Sequence, residues 1–136
     1  MPILTTSMHR QLTPGPANGR DSSSNPSYYV INKSTVAAAS GNTVPNGAYY
    51  LGRPWRNYAR VVFQQTSLSA VINSAGWHIW NTGDERTDQV TFAEYGNTGT
   101  GASGTRASFG KKLSAAVSIS SVLGSDYASW VDGDFI

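Results

Sequence analysis

The chain has 136 residues, enough for one domain with a modest core, and no break in its composition indicates a second domain. Hydrophobic residues make up 39% and charged residues only 13%, a balance that favours strands and turns over surface helices. A formal charge of +2 without a long basic run excludes the electrostatic footprint of a nucleic-acid-binding protein, and the lack of cysteine excludes disulfides and cysteine-ligated metals.

The N-terminal segment, residues 1–27, is rich in Pro, Ser, Asn and Gly. It lacks a pattern that could bury one face, so we predict a disordered or loop-like segment. Residues 1–16 lack the apolar core and cleavage site of a signal peptide, and no apolar run is long enough to span a bilayer. We therefore expect no membrane partner, and we expect any secretion signal to lie upstream of this sequence.

From Tyr28 onward the sequence changes to short runs of β-branched and aromatic residues, separated by turn residues. Such runs predict β-strands. The predicted strands cover residues 28–32, 35–37, 48–52, 59–65 and 89–95. Short strands in series build a sandwich, a barrel or a solenoid. Periodicity alone does not choose among these architectures, because no fixed repeat is visible.

Two segments have weaker helical patterns. Residues 68–73 predict no more than a short turn. Residues 121–131 contain four apolar side chains near helical spacing, although Gly124 interrupts them. These side chains are Val122, Leu123, Tyr127 and Trp130. We predict a short C-terminal helix that caps an open β edge, because an exposed edge invites aggregation.

The segment Leu51-Gly52-Arg53-Pro54-Trp55 has the most informative chemistry. Arg53 lies between a glycine and a proline, where a stiffened backbone lets the guanidinium bind a carboxylate through two hydrogen bonds. Trp55 offers a flat apolar face on which a sugar ring can stack. Together they suit an acidic carbohydrate. The alternative is that Arg53 forms a structural salt bridge and Trp55 fills the core, which are the commoner roles of these residue types.

Four segments, in this order along the chain, resemble the pectin methylesterase family. Leu51–Trp55 is similar to its L-G-R-P-W signature, residues 76–81 to its G-W-x-x-W segment, and residues 92–99 to its F-x-E-Y-x-N-x-G segment. Residues 123–127 resemble the ending of fungal members. The resemblance covers residues 18–136. Four motifs in the same order are much more specific than any one of them.

The resemblance implies a right-handed parallel β-helix, here as C-terminal coils over residues 28–136, with pectin lying along an outer groove. It implies hydrolysis of the methyl esters of homogalacturonan to pectate and methanol by a secreted enzyme that needs no metal or other cofactor. One aspartate attacks the ester carbonyl, a second acts as acid and then base, and glutamines stabilise the oxyanion. Arg53 would orient the nucleophilic aspartate as part of the catalytic machinery, and Trp55 would stack on the substrate.

The sequence departs from the family at the catalytic aspartates. The family's nucleophile belongs to a G-x-V-D-F-I-F-G strand upstream of the matched region, and this chain contains no such string. The aspartates of the chain are Asp21, Asp84, Asp88, Asp126, Asp132 and Asp134. Since none has a matching context, we assign none of them to catalysis. We expect a truncated form that lacks the catalytic aspartates and is inactive alone.

The remaining polar residues have weaker functional signals. His9 and His78 lack the partners of a triad or a metal site, so a structural or solvent-facing role fits them better. Glu94 is expected to pair with Arg60 or Arg106 rather than act as an acid. We read residues 99–104 as a turn and residues 84–86 as a solvated loop.

We therefore interpret the chain as a pectinesterase-like carbohydrate esterase whose partner is pectin or polygalacturonate, with no nucleic-acid or membrane partner. Two alternatives remain open. The chain could be a non-catalytic pectin-binding module, or it could be an inactive gene fragment. A β-helix cut across its axis exposes a coil edge, so we also expect self-association through that edge.

Overall fold

A computed structural model describes residues 13–136, and residues 1–12 lie outside the described part. The described strands are β1 (Thr13–Pro14), β2 (Tyr29–Asn32), β3 (Thr35–Val36), β4 (Tyr49–Tyr50), β5 (Arg60–Gln64), β6 (Ser67–Leu68), β7 (Thr91–Tyr95) and β8 (Gly110–Lys112). One α-helix, α1, covers Ile119–Leu123. Short 3-10 helices cover Thr100–Ala102, Tyr127–Ser129 and Gly133–Phe135.

All ladders between these strands are parallel, and they form three sheets. The largest sheet has the order β2-β5-β7-β8, while β1 pairs with β4 and β3 with β6. Isolated bridges extend the smaller sheets, since Tyr49 pairs with Ile72 and Ser67 with Thr98. The chain therefore returns to the same sheets with each circuit. This confirms an all-β fold with parallel strands and, among the three architectures left open, favours the solenoid.

The predicted strands are all present with shorter ends, as β2, β3, β4, β5 and β7. Strands β5 and β7 form the centre of the large sheet because their side chains are apolar on the inner face. Val61 pairs with Phe92, and both are fully buried. Trp77 stacks on Phe92 with ring centroids 4.5 Å apart and planes 14° apart, and Phe63 meets Trp77 edge-on. These aromatic rings form the centre of the core.

The C-terminal segment crosses the outer face of the large sheet. Gln64 fixes it there: its Nε2 donates to the Val117 carbonyl at 3.1 Å, and its Oε1 accepts from the Val117 N–H at 2.8 Å. Helix α1 follows, and the Ser118 hydroxyl accepts a hydrogen bond from the Ser121 N–H at its start. The predicted short C-terminal helix is therefore present. Its predicted extent over residues 121–131 is wrong, because Gly124 has φ of 95° and ends the helix.

Residues 13–27 pack against the first circuits, although their composition showed no pattern for burial. Asn18 is fully buried, and its Oδ1 accepts hydrogen bonds from the Arg20 and Arg60 N–H groups. The Arg20 guanidinium donates to three carbonyls, including that of Tyr58 in the next circuit. Apart from β1, residues 13–27 contain no strand or helix. The prediction of a disordered or loop-like segment over residues 1–27 stays untested, because residues 1–12 lie outside the described part. The domain boundary at residues 27 and 28 stays a prediction.

A buried ion pair joins β7 to the following connection. Arg106 Nε lies 2.8 Å from Glu94 Oε2 and its Nη2 lies 3.0 Å from Oε1, so the pairing is bidentate. This confirms the predicted pairing of Glu94 with Arg106. Arg60, the other candidate, lies over the Tyr28 ring at 4.2 Å. Arg106 also passes over Gly76, where a Cβ atom would lie 2.6 Å from Arg106 Cδ, so this crossing requires glycine.

Replacing Glu94 with Gln should destabilise the chain strongly. The change keeps the shape but leaves the buried guanidinium of Arg106 without its counter-charge, which typically costs about 3 to 5 kcal/mol. Urea unfolding followed by tryptophan fluorescence measures the loss. The matched control is Glu85→Gln at an exposed position, which should change stability by about 0.5 kcal/mol or less. Equal unfolding midpoints for the two variants would contradict a structural role for the pair.

Candidate functional site

The segment after β4 is held between two neighbouring pieces of chain. Leu51 N–H donates to the Gly76 carbonyl at 2.6 Å, and Gly52 pairs in parallel with Trp77. A Cβ atom on Gly52 would lie 2.8 Å from the Pro16 carbonyl oxygen, so the close approach requires glycine. Leu51 is buried in the core, as is the next apolar residue, Pro54. The intervening Arg53 is therefore fixed at both sides on a rigid backbone.

Arg53 and Trp55 meet a third side chain, Trp80. The Arg53 guanidinium carbon lies 4.2 Å from the centroid of the Trp80 ring, which is a cation–π contact. The Trp55 and Trp80 rings lie 5.8 Å apart and are tilted by 50°. Trp80 reaches this place because the segment before it pairs with the Arg53 segment, where the His78 N–H donates to the Gly52 carbonyl at 3.0 Å. Arg53 and Trp55, the two predicted site residues, thus both contact the indole of Trp80.

The structural alternative for these residues does not match their surroundings. Trp55 is 52% exposed, so it does not fill the core. Neither of the two salt bridges in the described part involves Arg53. Arg53 also donates no hydrogen bond to another described side chain or backbone group. Within residues 13–136, a guanidinium without a carboxylate therefore lies beside an exposed indole face.

The neighbouring loop adds a second arginine. Arg86 Nε lies 3.1 and 3.0 Å from the two carboxylate oxygens of Asp84, and its Nη2 lies 2.7 Å from Oδ2. Arg86 Nη1 donates to the Trp55 carbonyl, and the guanidinium carbon lies 5.0 Å from the Trp80 centroid. Asp84 is exposed, as a solvated loop predicts, whereas Arg86 is directed back onto the site.

A polar cleft of about 560 Å³ lies next to Trp55. Its lining residues are Asp21, Trp55, Arg56, Asn57, Asp84 and Arg86. The cleft joins an exposed indole to groups that donate and accept hydrogen bonds, which is the mixture that a sugar ring needs for binding. Its carboxylates are already engaged, since Asp21 Oδ1 accepts from Asn25 Nδ2 and Asp84 binds Arg86.

The histidines do not form a catalytic group in the described part. His78 Nδ1 lies 2.6 Å from the Ile79 carbonyl oxygen, and its ring meets the Tyr50 ring edge-on at 4.7 Å. Both contacts are structural. His9 lies outside the described residues. Within residues 13–136 no group of three or more His, Cys, Asp or Glu side chains is arranged to bind a metal, and no helix is long and apolar enough to cross a membrane.

Comparison with known proteins gives one consistent result. A family model described as Pectinesterase matches residues 3–121. The chain is 62% identical over 119 residues to a pectinesterase of Aspergillus aculeatus and 60% identical over 120 residues to one of Aspergillus niger. Each match covers 88% of this chain and 36% of the relative.

The chain belongs to the pectinesterase family. Solved structures of two pectin methylesterases agree with this assignment. That of Aspergillus niger in deglycosylated form has a TM-score of 0.79 at 36% identity and covers 89% of this chain and 39% of its own. That of carrot has a TM-score of 0.76 at 30% identity and covers 93% of this chain and 42% of its own. The family comprises carboxylic ester hydrolases, and this chain spans about a third of its curated relatives.

Two residues of this pectinesterase-family site were not predicted as functional from the sequence. Trp80 belongs to the G-W-x-x-W segment that supports the resemblance, but its contact with Arg53 depends on the stacking of successive circuits. Arg86 was assigned to a solvated loop because charged residues surround it in the sequence. Only the fold shows that its guanidinium turns back to Trp55 and Trp80.

The ion pair in this loop should depend on pH. Arg86 lowers the pKa of the Asp84 carboxyl, chiefly through the hydrogen bonds that it donates. The pKa of Asp84 in the folded protein lies below its unfolded value of about 3.9. The stabilisation from the ion pair is therefore fully present at a pH above the unfolded pKa and is lost as the pH falls through the folded pKa. In a carboxyl-carbon NMR titration, we expect the Asp84 midpoint to rise in the Arg86→Gln variant. Identical midpoints in the two proteins would contradict the assigned cause.

Proposed function

We propose that the chain is the Arg53-containing part of an esterase that hydrolyses the methyl esters of homogalacturonan to pectate and methanol. Membership of the pectinesterase family supports the reaction class. The observation that carries the proposal is the position of Arg53. Its guanidinium lies on Trp80 beside the exposed face of Trp55, and no described carboxylate neutralises it. This combination suits an acidic polysaccharide and a carboxylate that comes from outside residues 13–136.

We infer that the architecture is a right-handed parallel β-helix with its substrate groove along an outer face. Three parallel sheets that recur with each circuit support this inference, as does the likeness to the Aspergillus niger pectin methylesterase. In such a solenoid each circuit gains its stability from its neighbours. A site built from the ends of strands on successive circuits can then be rigid although it lies at the surface.

In the proposed mechanism, Arg53 holds the nucleophilic aspartate. A planar guanidinium binds both oxygens of a carboxylate and favours its ionised form, which is the form that attacks the ester carbonyl. A second aspartate protonates the leaving methanol oxygen and later activates water. Trp55 stacks on the sugar. The reaction needs no metal or other cofactor, because the arginine and the oxyanion donors supply the electrostatic stabilisation.

We propose that the two catalytic aspartates lie outside this stretch of sequence. Of the two aspartates that line the cleft, Asp21 and Asp84, the latter is already bound by three contacts to Arg86. Asp84 is therefore paired with Arg86 and not with Arg53, which is the arginine that the proposed mechanism places on the nucleophile. None of the other aspartates has the family's sequence context. The protein acts in this proposal as a secreted enzyme on cell-wall pectin, with no nucleic-acid or membrane partner.

A second proposal is that the chain is a non-catalytic pectin-binding module or an inactive gene fragment. The observation that favours it is that the binding features are complete without a nucleophile, since Trp55 is exposed and Arg53 is unpaired within the described residues. Self-association through the side of β2 that pairs with no described strand of the large sheet also stays a prediction.

The chain should bind polygalacturonate through Trp55. Burying one indole face of ~60 Å² is equivalent to ~1.5 kcal/mol, so Trp55→Ala should weaken binding about tenfold. Affinity electrophoresis in gels that contain polygalacturonate, or calorimetry with oligogalacturonates, measures the change. Trp130→Ala is the matched control, because Trp130 is exposed to a similar degree on the C-terminal segment. Binding that is equally strong in all three proteins would argue against the proposed sugar contact.

The 136-residue chain alone should release no methanol from highly methylated pectin. The reason is that its aspartates lack the nucleophile's context, so attack on the ester has no ionised carboxylate in place. The assay compares the chain with Arg53→Ala and with the Aspergillus niger pectinesterase as a positive control. Methanol release that disappears in Arg53→Ala would mean that a nucleophile lies within this chain, and the proposal of external aspartates would be wrong.

A further inference from the structure

We propose that Arg86, held by Asp84, is a positioning residue that fixes Trp55 and the Arg53–Trp80 pair relative to each other. The inference rests on the proposed pectin-binding function and deepens it. Arg86 need not contact the polysaccharide for this role. It acts through Arg53 and Trp55, because one face of its guanidinium meets Trp80, on which Arg53 also lies, and one N–H binds the backbone of Trp55.

The contacts of Arg86 use its whole guanidinium. Nε and Nη2 bind the carboxylate of Asp84 on one edge, and Nη1 binds the Trp55 carbonyl on another. The planar face lies 5.0 Å from the centroid of Trp80. A planar fork with its donors fixed in place can join three groups at defined angles, whereas the ammonium of a lysine cannot. The geometry therefore specifies arginine at this position.

The loop is shaped to present this side chain. The Asn81 and Asp84 backbones exchange hydrogen bonds of 3.1 and 3.0 Å, and the Trp80 N–H donates to the Glu85 carbonyl, which closes a tight hairpin. Arg86 follows the hairpin with φ of 58°, a left-handed conformation that a residue with a side chain adopts at a cost. Such a conformation persists where surrounding contacts determine it. Here the contacts are those of the guanidinium.

Trp80 links Arg86 to Arg53, because both guanidinium groups contact its ring. The Arg53 guanidinium carbon lies 4.2 Å from the centroid of this ring, and the ring centroids of Trp80 and Trp55 lie 5.8 Å apart. A change in the angle of the Trp80 indole therefore moves both Arg53 and Trp55. Because Trp55 must hold a sugar unit next to the carboxylate that Arg53 binds, a small rotation of Trp80 misaligns the two groups. Removal of Arg86 should therefore weaken binding although Arg86 itself is neutralised.

A purely electrostatic role and a positioning role of Arg86 predict different polygalacturonate affinities for two variants. Asp84→Asn removes a negative charge beside the site, so a purely electrostatic role would strengthen binding of the polyanion. Arg86→Lys keeps the positive charge, so the same role would leave binding unchanged. A positioning role predicts weaker binding for both variants, since each breaks the bidentate pairing. Arg60→Lys is the matched control, because the Arg60 guanidinium also lies over an aromatic ring, that of Tyr28, and donates to the Ser27 carbonyl, but it does not line the cleft.

The experiment measures the affinity of the 136-residue chain and of these variants for polygalacturonate. We expect Asp84→Asn and Arg86→Lys each to weaken binding about tenfold, and Arg60→Lys to change it about twofold or less. The losses should persist at ~0.5 M salt, where electrostatic effects between exposed charges are screened. Near-ultraviolet circular dichroism supplies a second readout. Both variants should lose the tryptophan bands that Trp55→Ala also loses, while the urea unfolding midpoint stays unchanged.

The outcomes separate this inference from the proposed function. A wild-type chain that binds polygalacturonate no better than Trp55→Ala would overturn the proposed function and the inference with it. Wild-type binding that depends on Trp55 but is unchanged in Arg86→Lys, or is strengthened in Asp84→Asn, would overturn the positioning role alone. Weaker binding with an altered tryptophan spectrum in both variants would support it. Asp84 is exposed, so the Asp84→Asn variant folds even if the Arg86 variant does not.

Discussion

Parallel pairing between successive circuits determines where Arg53 and Trp80 lie. Gly52 pairs with Trp77, and Trp77 is held in the core by its stacking on Phe92. The register of the core therefore sets the register of Arg53, one residue beyond Gly52, and of Trp80, three residues beyond Trp77. The absence of a side chain at Gly52 permits this approach, since a Cβ atom there would collide with the Pro16 carbonyl. A surface site gains rigidity in this way because its backbone is part of the stacked core.

The ion pair of Glu94 and Arg106 is the second constraint on the stack. Two charges buried together are costly to desolvate, and the cost is offset only where all their hydrogen-bonding groups are satisfied. Here Arg106 binds Glu94 through two nitrogens and donates to the carbonyls of Ser74 and Gly101 as well. The pair thus ties β7 to two connecting segments that strand pairing alone does not hold. It also holds the segment at Ser74, which leads into the pairing of Trp77 with Gly52.

The sequence predicted what depends on local composition and missed what depends on contacts between circuits. Strands β5 and β7 were predicted because runs of β-branched and aromatic residues are buried on an inner face. Strand β8, with the sequence Gly-Lys-Lys, has no such run, and it is a strand because β7 offers it an edge. The helix over residues 121–131 failed at Gly124, whose φ of 95° no helix accepts. Arg53 and Trp55 were predicted as site residues from their chemistry and family motif, and their roles stay predictions. The contacts of Arg86 could not be predicted, because its partners are set by the path of a hairpin.

Two arginines contact one indole in this site, and their different surroundings determine what each can do. Arg86 has its charge neutralised by Asp84 and its donors occupied, so a further carboxylate gains little by approaching it. Arg53 has the same kind of contact with Trp80, but no described carboxylate neutralises its positive charge. The indole also shields one face of the Arg53 guanidinium from water, and an ion pair formed on the remaining edge is stronger than one in open solvent. In the proposed function, a carboxylate that enters the site is therefore directed to Arg53, and the neutralised Arg86 keeps the indole of Trp80 in place beside it.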